Sequence, residues 1–227
     1  MADVRLTVVV DNRAKEGLRR EWGWSAHIEA HGRRILFDAG ASPSTLKFNA
    51  ERLGLDLSHL DFAVLSHHHG DHYGGFRYVG SVAKDLKVYS PPGDLGYLRE
   101  WELNPVPISS PLEVERGFWL TGPLRAGWIS EQALAISTEE GLVVVVGCSH
   151  PGVHRLVRAA RDISGINVFL VVGGFHMPSK RVLDKLAEMS QKICPAHCSG
   201  GGSVSYLRRK YPEKLCEVMA GSILTLS

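Results

Sequence analysis

The sequence has no long hydrophobic run and no marked excess of charge of either sign. Its 227 residues include 26 basic and 24 acidic side chains, a formal charge of +2. That balance gives no electrostatic argument for nucleic acid or an anionic membrane as a partner. The longest apolar stretches, residues 142–147 and 168–174, fall far short of the roughly 20 residues that a membrane-spanning helix needs. We therefore expect neither a membrane partner nor a specific nucleic-acid partner.

Cysteine is also scarce, with four residues and no C-x-x-C pair among Cys148, Cys194, Cys198 and Cys216. The apolar run at residues 6–10 is too short for a secretory signal and is predicted to be a strand. Few cysteines in a chain of this length, without such a signal, are typical of a reducing compartment. The sequence therefore predicts a cytoplasmic location.

Short apolar runs between turn residues predict a mixed α/β fold, with residues 1–227 as a single domain. Helices are predicted at residues 43–53, 75–84, 153–163, 179–191 and 203–210, and residues 91–111 are loop-rich and give no clear helix or strand pattern. Two hairpins are expected, turning at His31-Gly32 and at Glu139-Glu140-Gly141. The mixed order indicates two sheets covered by helices. The predicted strands are residues 6–10, 25–30, 34–38, 62–65, 87–89, 117–121, 133–138, 142–146, 166–172 and 223–226.

The most informative segment, residues 67–72, reads His-His-His-Gly-Asp-His and follows the predicted strand at 62–65. His67 and His69 are two positions apart, so they project to the same side of an extended chain. Gly70 allows a bend that turns Asp71 and His72 towards a second point. Imidazole and carboxylate groups suit zinc, iron or manganese. The alternative is a solvated loop that is rich in histidine by chance, and His68 is expected to point away from its neighbours.

The spacing His67-x-His69-x-Asp71-His72 resembles the H-x-H-x-D-H signature of the metallo-β-lactamase superfamily, and residues 37–40 (Phe-Asp-Ala-Gly) resemble another segment of that family. The resemblance covers almost the whole chain. It implies a four-layer αββα sandwich with one or two metal ions at the edge of its sheets. It also implies that His67 and His69 bind one ion and that Asp71 and His72 bind the other. The expected cofactor is two divalent ions, zinc first, with iron or manganese as alternatives.

Three further histidines follow apolar strands and stand in loops of small residues: His150 in GCSHPG, His176 in GGFH and His197 in PAHCSG. Because this is the placement of the first motif, His150 and His197 are predicted to be metal ligands. His176 is predicted to act in catalysis; from its position it is also a candidate metal ligand, with substrate contact as the alternative to that role. The three segments resemble a superfamily branch that includes a dihydropterin–aminobenzene phosphate synthase of methanopterin biosynthesis. The remaining histidines are predicted to lie at the surface: His27, His31, His59 and His154.

One departure from the wider family concerns the strand that ends at Gly147. Most two-metal members place a bridging aspartate after this strand, whereas this chain has Cys148-Ser149-His150. Three alternatives follow from the resemblance: His150 alone completes the first site, Cys148 substitutes as a soft ligand, or a water bridges the two ions. We prefer His150 with a bridging water.

Neutral imidazoles around divalent ions favour a small anionic substrate. The candidates for substrate contact are Asn12, Arg13, Trp22 and Asn49. A solvated basic loop is the alternative for the segment around Arg13, and a core or rim aromatic is the alternative for Trp22. Residues 91–111 carry Tyr97, Leu98 and Trp101, which suggest either a lid or the contact of a homodimer.

The residues and the resemblance together predict a metal-dependent hydrolase that activates water for attack on a phosphoester or another anionic substrate. Asp71 is predicted to be both a ligand and a catalytic residue. The first alternative is a transferase that forms a C–N bond with loss of diphosphate from a dihydropterin diphosphate. The second is a non-catalytic metal-binding sensor or redox protein.

Overall fold

The computed structural model describes residues 4–226 of the chain. These residues form two compact units, one running to Ser109 and resuming at Met219, the other spanning Ser110–Val218. Each unit contains a large sheet and helices, so the predicted α/β class with two sheets is confirmed. The assignment of residues 1–227 to a single domain stays a prediction.

The first unit is built on a seven-stranded sheet in the order β15-β1-β2-β3-β4-β5-β6. The first three strands and β15 pair antiparallel, and β3 to β6 pair parallel. The predicted hairpin between β2 and β3 turns at His31 and Gly32, which both have positive φ, as a tight two-residue turn requires. The strands are β1 (Val4–Val10), β2 (Ser25–Ala30), β3 (Arg33–Phe37), β4 (Phe62–Val64), β5 (Lys87–Ser90), β6 (Asn104–Pro107) and β15 (Ile223–Leu226).

Helices α1 (Pro43–Arg52), α2 (Gly70–Tyr73), α3 (Phe76–Val82) and α4 (Gly96–Glu100) belong to this unit. Ser42 caps α1 by accepting a hydrogen bond from the Thr45 amide, and Pro43 takes the first helical position, as predicted. Apolar residues of α1 and α3 pack with one face of the sheet in a core that includes Leu36, Leu46 and Phe76. This packing fixes the segment between β4 and α3, which contains the histidine–aspartate motif.

The second unit has a six-stranded sheet in the order β14-β13-β12-β11-β8-β7 and a separate two-stranded ribbon of β9 and β10. Strands β12, β13 and β14 pair parallel, connected by α5 (Val153–Ser164) and α6 (Lys180–Met189), and α7 (Gly201–Lys210) follows β14. Their carboxyl ends therefore meet at one edge. The strands are β7 (Leu112–Glu115), β8 (Phe118–Leu120), β9 (Leu124–Ala126), β10 (Ile129–Glu131), β11 (Leu134–Ser137), β12 (Leu142–Val146), β13 (Val168–Gly174) and β14 (Ser190–Ala196).

Some predictions of local structure were wrong. The helix predicted over residues 179–191 ends at Met189, and Ser190 begins β14, whose centre is buried at Ile193 and Cys194. Residues 91–111 contain α4 and β6, and β7, β9 and β10 were not predicted. These are strands of three or four residues with few buried positions, so they carry almost no period-two signal.

The cysteines are not all thiols, which bears on the reducing compartment expected from their number. A disulfide links Cys194 to Cys216, next to the bridge between Ile193 and Leu215, and only Cys148 and Cys198 remain as thiols. Cysteine usage therefore does not support a reducing compartment, and the cytoplasmic location stays a prediction. Within residues 4–226, none of the helices has the length and apolar character needed to cross a membrane.

His27 was wrongly predicted to lie at the surface. It sits in β2, is 2% exposed, and packs opposite Leu36 of β3. Burial lowers the pKa of the imidazole, and the nearby Arg34 and Arg5 lower it further against the opposing effect of Glu29. A neutral imidazole is compatible with this buried position.

Candidate metal centre

The histidine–aspartate motif forms two neighbouring pairs of potential ligand atoms in the first unit. His67 Nε2 lies 3.0 Å from His69 Nδ1, and His72 Nε2 lies 3.7 Å from Asp71 Oδ2. The rings of His67 and His72 are close as well, with centroids 4.2 Å apart. His67 and His69 come from the extended segment after β4, whereas Asp71 and His72 lie on the single turn of α2. The motif therefore places three imidazole rings and one carboxylate close together.

A buried aspartate, Asp38, orients this cluster. Its carboxylate accepts hydrogen bonds of 2.7 Å from His72 Nδ1, from the Ser66 hydroxyl and from the Ser66 amide, and Ser66 Oγ also lies 2.9 Å from His67 Nδ1. Burial raises the pKa of the Asp38 carboxyl above its usual value, and the groups that donate to it oppose that shift. The Nδ1 atoms of His67 and His72 are therefore fixed by hydrogen bonds. As a result, His67 Nε2 faces His69 and His72 Nε2 faces Asp71.

Two glycines after the motif allow it to pack against the loop that follows β3. A Cβ atom at Gly74 would lie 2.0 Å from the Ala41 carbonyl oxygen, and one at Gly75 would lie 2.0 Å from that of Ala39. The same loop also donates a hydrogen bond to the motif, from the Ala39 amide to the His72 carbonyl at 2.7 Å. Backbone contact this close excludes any side chain at positions 74 and 75.

His68 points away from the cluster, as predicted. Its Nδ1 lies 3.0 Å from the Tyr97 hydroxyl and its Nε2 lies 2.9 Å from the Pro91 carbonyl oxygen. Burial raises the pKa of Tyr97, so this phenol stays protonated. His68 therefore connects the motif to the segment around α4 rather than to the potential ligand atoms.

In the second unit, His150 is held by a buried carboxylate that sequence reasoning missed. Glu131, at the end of β10, is fully buried and lies 3.0 Å from His150 Nδ1 through Oε2. It also accepts hydrogen bonds from the amides of Ser149 at 2.6 Å and His150 at 2.7 Å. This arrangement repeats that of Asp38 and His72, in which a buried carboxylate fixes Nδ1 of a histidine.

The other two histidines of this unit lie at the ends of neighbouring strands. His176 follows β13, is exposed, and stacks obliquely on His150 with ring centroids 4.5 Å apart. His197 follows β14 and is buried. Cys148, His176 and Cys198 form a group whose potential ligand atoms all lie within 4.8 Å of one another.

The four residues predicted to contact substrate have different surroundings. Asn49 is fully buried; its side-chain amide donates to the carbonyls of Val9 and Arg19, and its oxygen accepts from the Arg19 amide. It therefore anchors the loop after β1, and this placement does not support substrate contact. Trp22 is 63% exposed, Arg13 is exposed, and Asn12 accepts a hydrogen bond from the Gly23 amide. The Gly23 backbone lies against the carbonyl oxygen of Asp71, which brings this segment next to the motif.

Comparisons with known proteins agree with the fold and the motif. The family model described as the metallo-beta-lactamase superfamily matches residues 23–153. The 7,8-dihydropterin-6-methyl-4-(beta-D-ribofuranosyl)-aminobenzene-5'-phosphate synthase of Methanocaldococcus jannaschii is 27% identical, over 88% of this chain and 90% of the synthase.

Solved structures give the same result. A metal-dependent hydrolase of the beta-lactamase superfamily superposes with a TM-score of 0.83 at 25% identity, covering 99% of both chains. A diphosphatase of the PhnP family superposes with a TM-score of 0.67 at 13% identity, covering 100% of this chain and 98% of the other, which shows the shared fold alone. The family match spans more than half of the chain, including the whole histidine–aspartate motif. The chain therefore belongs to the metallo-beta-lactamase superfamily.

Proposed function

We propose that this protein is a metal-dependent hydrolase that cleaves a phosphoester or another anionic ester. The observation that carries the proposal is the pairing of His67 Nε2 with His69 Nδ1 and of Asp71 Oδ2 with His72 Nε2. One histidine of each pair is held at its Nδ1 atom: His67 by the Ser66 hydroxyl and His72 by the Asp38 carboxylate, which also accepts from Ser66. Such support fixes the ring orientation of metal-binding histidines and raises their basicity.

The distances fit divalent ions. Bonds of about 2.0–2.1 Å to nitrogen or oxygen place two ligand atoms of one tetrahedral ion about 3.3 Å apart. The observed 3.0 Å and 3.7 Å lie on either side of that value. Nitrogen and carboxylate donors suit zinc first, with iron and manganese as alternatives. We therefore assign His67 and His69 to one ion and Asp71 and His72 to a second.

We further propose His150 and His197 as ligands. Support for His150 is local: Glu131 holds its Nδ1, and a carboxylate at one ring nitrogen is typical of histidines that bind a metal through the other. His197 is proposed on the resemblance of its segment to the family branch and on its position at a strand end. The predicted catalytic role of His176 stays a prediction.

We assign separate roles in hydrolysis to the metal ions, to Asp71 and to the residues that contact the substrate. When bound, divalent ions would lower the pKa of a bound water towards about 7 and would neutralise charge on the substrate. Asp71, whose side chain is 21% exposed, accepts a hydrogen bond from the attacking water and so orients it. The water oxygen forms a bond to phosphorus, the ester oxygen leaves as an alcohol, and the proton of the water passes to solvent or to the leaving oxygen. Arg13 and Trp22 are proposed to contact the anionic substrate.

The metal-loaded protein should release p-nitrophenol from bis(p-nitrophenyl) phosphate or p-nitrophenyl phosphate. We expect a chelator to abolish the release and added zinc or manganese to restore it, because the nucleophile depends on the ions. The matched control is the His59→Ala variant, which removes an exposed histidine and should keep full activity. Absence of turnover on both esters and on a panel of diphosphates, with the ions demonstrably bound, would contradict the hydrolase proposal.

A second candidate is favoured by the similarity to the archaeal synthase, which extends over most of both chains. In this reaction an arylamine nitrogen forms a bond to the carbon that carries the diphosphate, the C–O bond breaks, and the amine loses a proton. The two candidates are separated by incubating the protein with a dihydropterin diphosphate, with and without an aminobenzene ribotide. Diphosphate release only when both are present supports the transferase, and release from the diphosphate alone supports the hydrolase.

A further inference from the structure

A pocket in the first unit contains polar side chains that the proposed hydrolysis does not use. It has a volume of about 370 Å³ and lies between the hairpin of β2 and β3 and the loop that follows α1. We propose that this pocket binds a small organic anion through a carboxylate or phosphate group. The residues of its lining that carry the argument are His27, Glu29, Arg34, Leu55, Asp56 and His59.

The pocket and the proposed metal site lie at opposite ends of β3. Arg34 is the second residue of this strand, whereas Asp38, which orients His72, follows its last residue. Four residues of extended chain span about 13 Å. None of the residues that line the pocket is a proposed metal ligand, so the anion site does not rest on the proposed function.

His27 forms the floor of the pocket. It is 2% exposed, and neither of its ring nitrogens has a hydrogen-bond partner among residues 4–226. Thr7, at the facing position of β1, is buried as well, and its hydroxyl also lacks a partner in that part of the chain. Burying a polar group without a partner costs free energy, so such groups in a native protein call for an explanation. Two of them side by side at one pocket indicate a site for a polar ligand.

The charges on the sheet side of the pocket favour an anion. The strand register places Glu29 between Arg5 of β1 and Arg34 of β3. One carboxylate cannot neutralise two guanidinium groups, and Glu29 Oε2 contacts Arg5 Nε at 3.9 Å. Arg34 is exposed, and its guanidinium has no ion pair or hydrogen bond with the described residues. A guanidinium presents a planar set of N–H donors that matches a carboxylate or a phosphate.

The acidic residue on the loop side is already engaged. Asp56 accepts from the Ser58 amide at 2.9 Å and from the Ser58 hydroxyl at 2.6 Å, and its other oxygen lies 2.7 Å from His59 Nδ1. These hydrogen bonds, those from Ser58 first, lower the pKa of Asp56 to about 2. The charge of Asp56 is therefore compensated within its own loop, and Arg34 is the charged group left for a ligand.

Hydrogen bonds fix the backbone of both walls. The Arg34 amide donates to Asp61 Oδ2 at 2.8 Å, and the Asp61 amide donates to the Arg34 carbonyl at 2.8 Å. On the other side, the Leu55 amide donates to the Ala50 carbonyl at 2.9 Å, which ties the loop to α1. A pocket whose backbone is already fixed loses little conformational entropy on binding.

The size and the apolar part of the lining favour an organic anion over a bare inorganic ion. A volume of about 370 Å³ lies within the range of pockets that hold small molecules. Leu55 is half-buried and offers an apolar surface to the carbon part of the ligand. The anionic group would then lie against Arg34, with the neutral imidazole of His27 as a second donor.

The test is a titration of the full-length protein with succinate and, separately, with glycerol phosphate, followed by NMR spectroscopy of the histidine side chains. The signals of His27, assigned by their loss in His27→Leu, should shift on binding because its N–H group gains an acceptor. Isothermal titration calorimetry gives Kd for each anion, and the tighter of the two identifies the group that the pocket prefers. Putrescine, a dication of similar size to succinate, should leave the His27 signals unchanged.

Two arginine variants locate the binding. Arg34→Gln should raise Kd by about tenfold or more, since it removes charge-assisted hydrogen bonds to the anion. The matched control is Arg33→Gln, the preceding residue, whose guanidinium contacts Asp61 at 3.1 Å instead of lining the pocket. It should keep the wild-type Kd. His69→Ala should keep the shift of the His27 signals even where hydrolysis is lost, which separates this proposal from the proposed function.

His27→Leu distinguishes a binding role from a purely structural one. It removes two buried nitrogens without partners and places an apolar side chain opposite Leu36, so the denaturation midpoint should rise while anion binding weakens. Lower stability together with wild-type affinity would overturn the proposal. So would His27 signals that neither anion shifts at saturating concentration, signals that putrescine shifts instead, or a Kd that rises equally in Arg33→Gln and Arg34→Gln.

Discussion

Replacing His69 with alanine should lower kcat/KM for a phosphoester by about 10³-fold or more, if the proposed hydrolysis depends on the ion at His67 and His69. His69 Nδ1 lies 3.0 Å from His67 Nε2, so the substitution removes one of the two nitrogens that we assign to the same ion. An ion at such a site supplies several kcal/mol of charge stabilisation in the transition state, and each 1.36 kcal/mol corresponds to tenfold in rate. Steady-state kinetics with bis(p-nitrophenyl) phosphate measure the effect.

The matched control again is His59→Ala, an exposed histidine whose ring contacts Asp56 and Ser58. It should keep the wild-type kcat/KM. Circular dichroism should show the same fold for both variants, because His69 is only partly buried and its removal leaves no large cavity. Equal turnover by His69→Ala and the wild type would place the chemistry elsewhere.

Replacing Asp38 with alanine should cost about 3–5 kcal/mol of unfolding free energy. The fully buried carboxylate accepts from the Ser66 amide, the Ser66 hydroxyl and His72 Nδ1, so its removal leaves three buried donors without their acceptor. Loss of the hydrogen bond that orients the His72 ring should also weaken metal binding by about 10–100-fold. Urea unfolding and a competitive metal titration measure the two effects.

Asp85→Ala provides the control for backbone strain. Asp38 and Asp85 both have positive φ, near 53° and 58°, but Asp85 is exposed. The Asp85 substitution should cost only the penalty of alanine in the left-handed conformation, about 1–2 kcal/mol. Asp38→Asn should fall between the two, since asparagine tolerates that conformation but offers a single oxygen acceptor. An Asp38→Ala protein as stable as Asp85→Ala would contradict the supporting role.

Much of the architecture was predictable because strong local signals carried it. The run at residues 142–146 is buried at every position, and Ser42-Pro43 marks the start of α1 where the structure has it. The histidine–aspartate spacing identified the family, since side chains two apart in an extended segment and a bend at a glycine are local properties. The short strands of the second unit lacked such a signal.

The supporting residues could not be predicted in the same way. Asp38 stood in a segment that resembles the family, but nothing local connects it to His72, 34 positions later. Glu131 gave no signal, because a single glutamate at the end of a three-residue strand is usually exposed. Asn49 was among the residues predicted to contact substrate; its side-chain amide donates to the carbonyls of Val9 and Arg19, so its surroundings do not support that prediction.

The proposed hydrolysis depends on a pair of divalent ions held by the motif at residues 67–72. Metal analysis of protein purified from zinc- or manganese-supplemented cultures tests it most directly. We predict about two equivalents per chain in the wild type, as expected of a two-metal site, and fewer in His69→Ala. A wild-type protein that carries no metal after such expression and binds none on later titration would contradict the account.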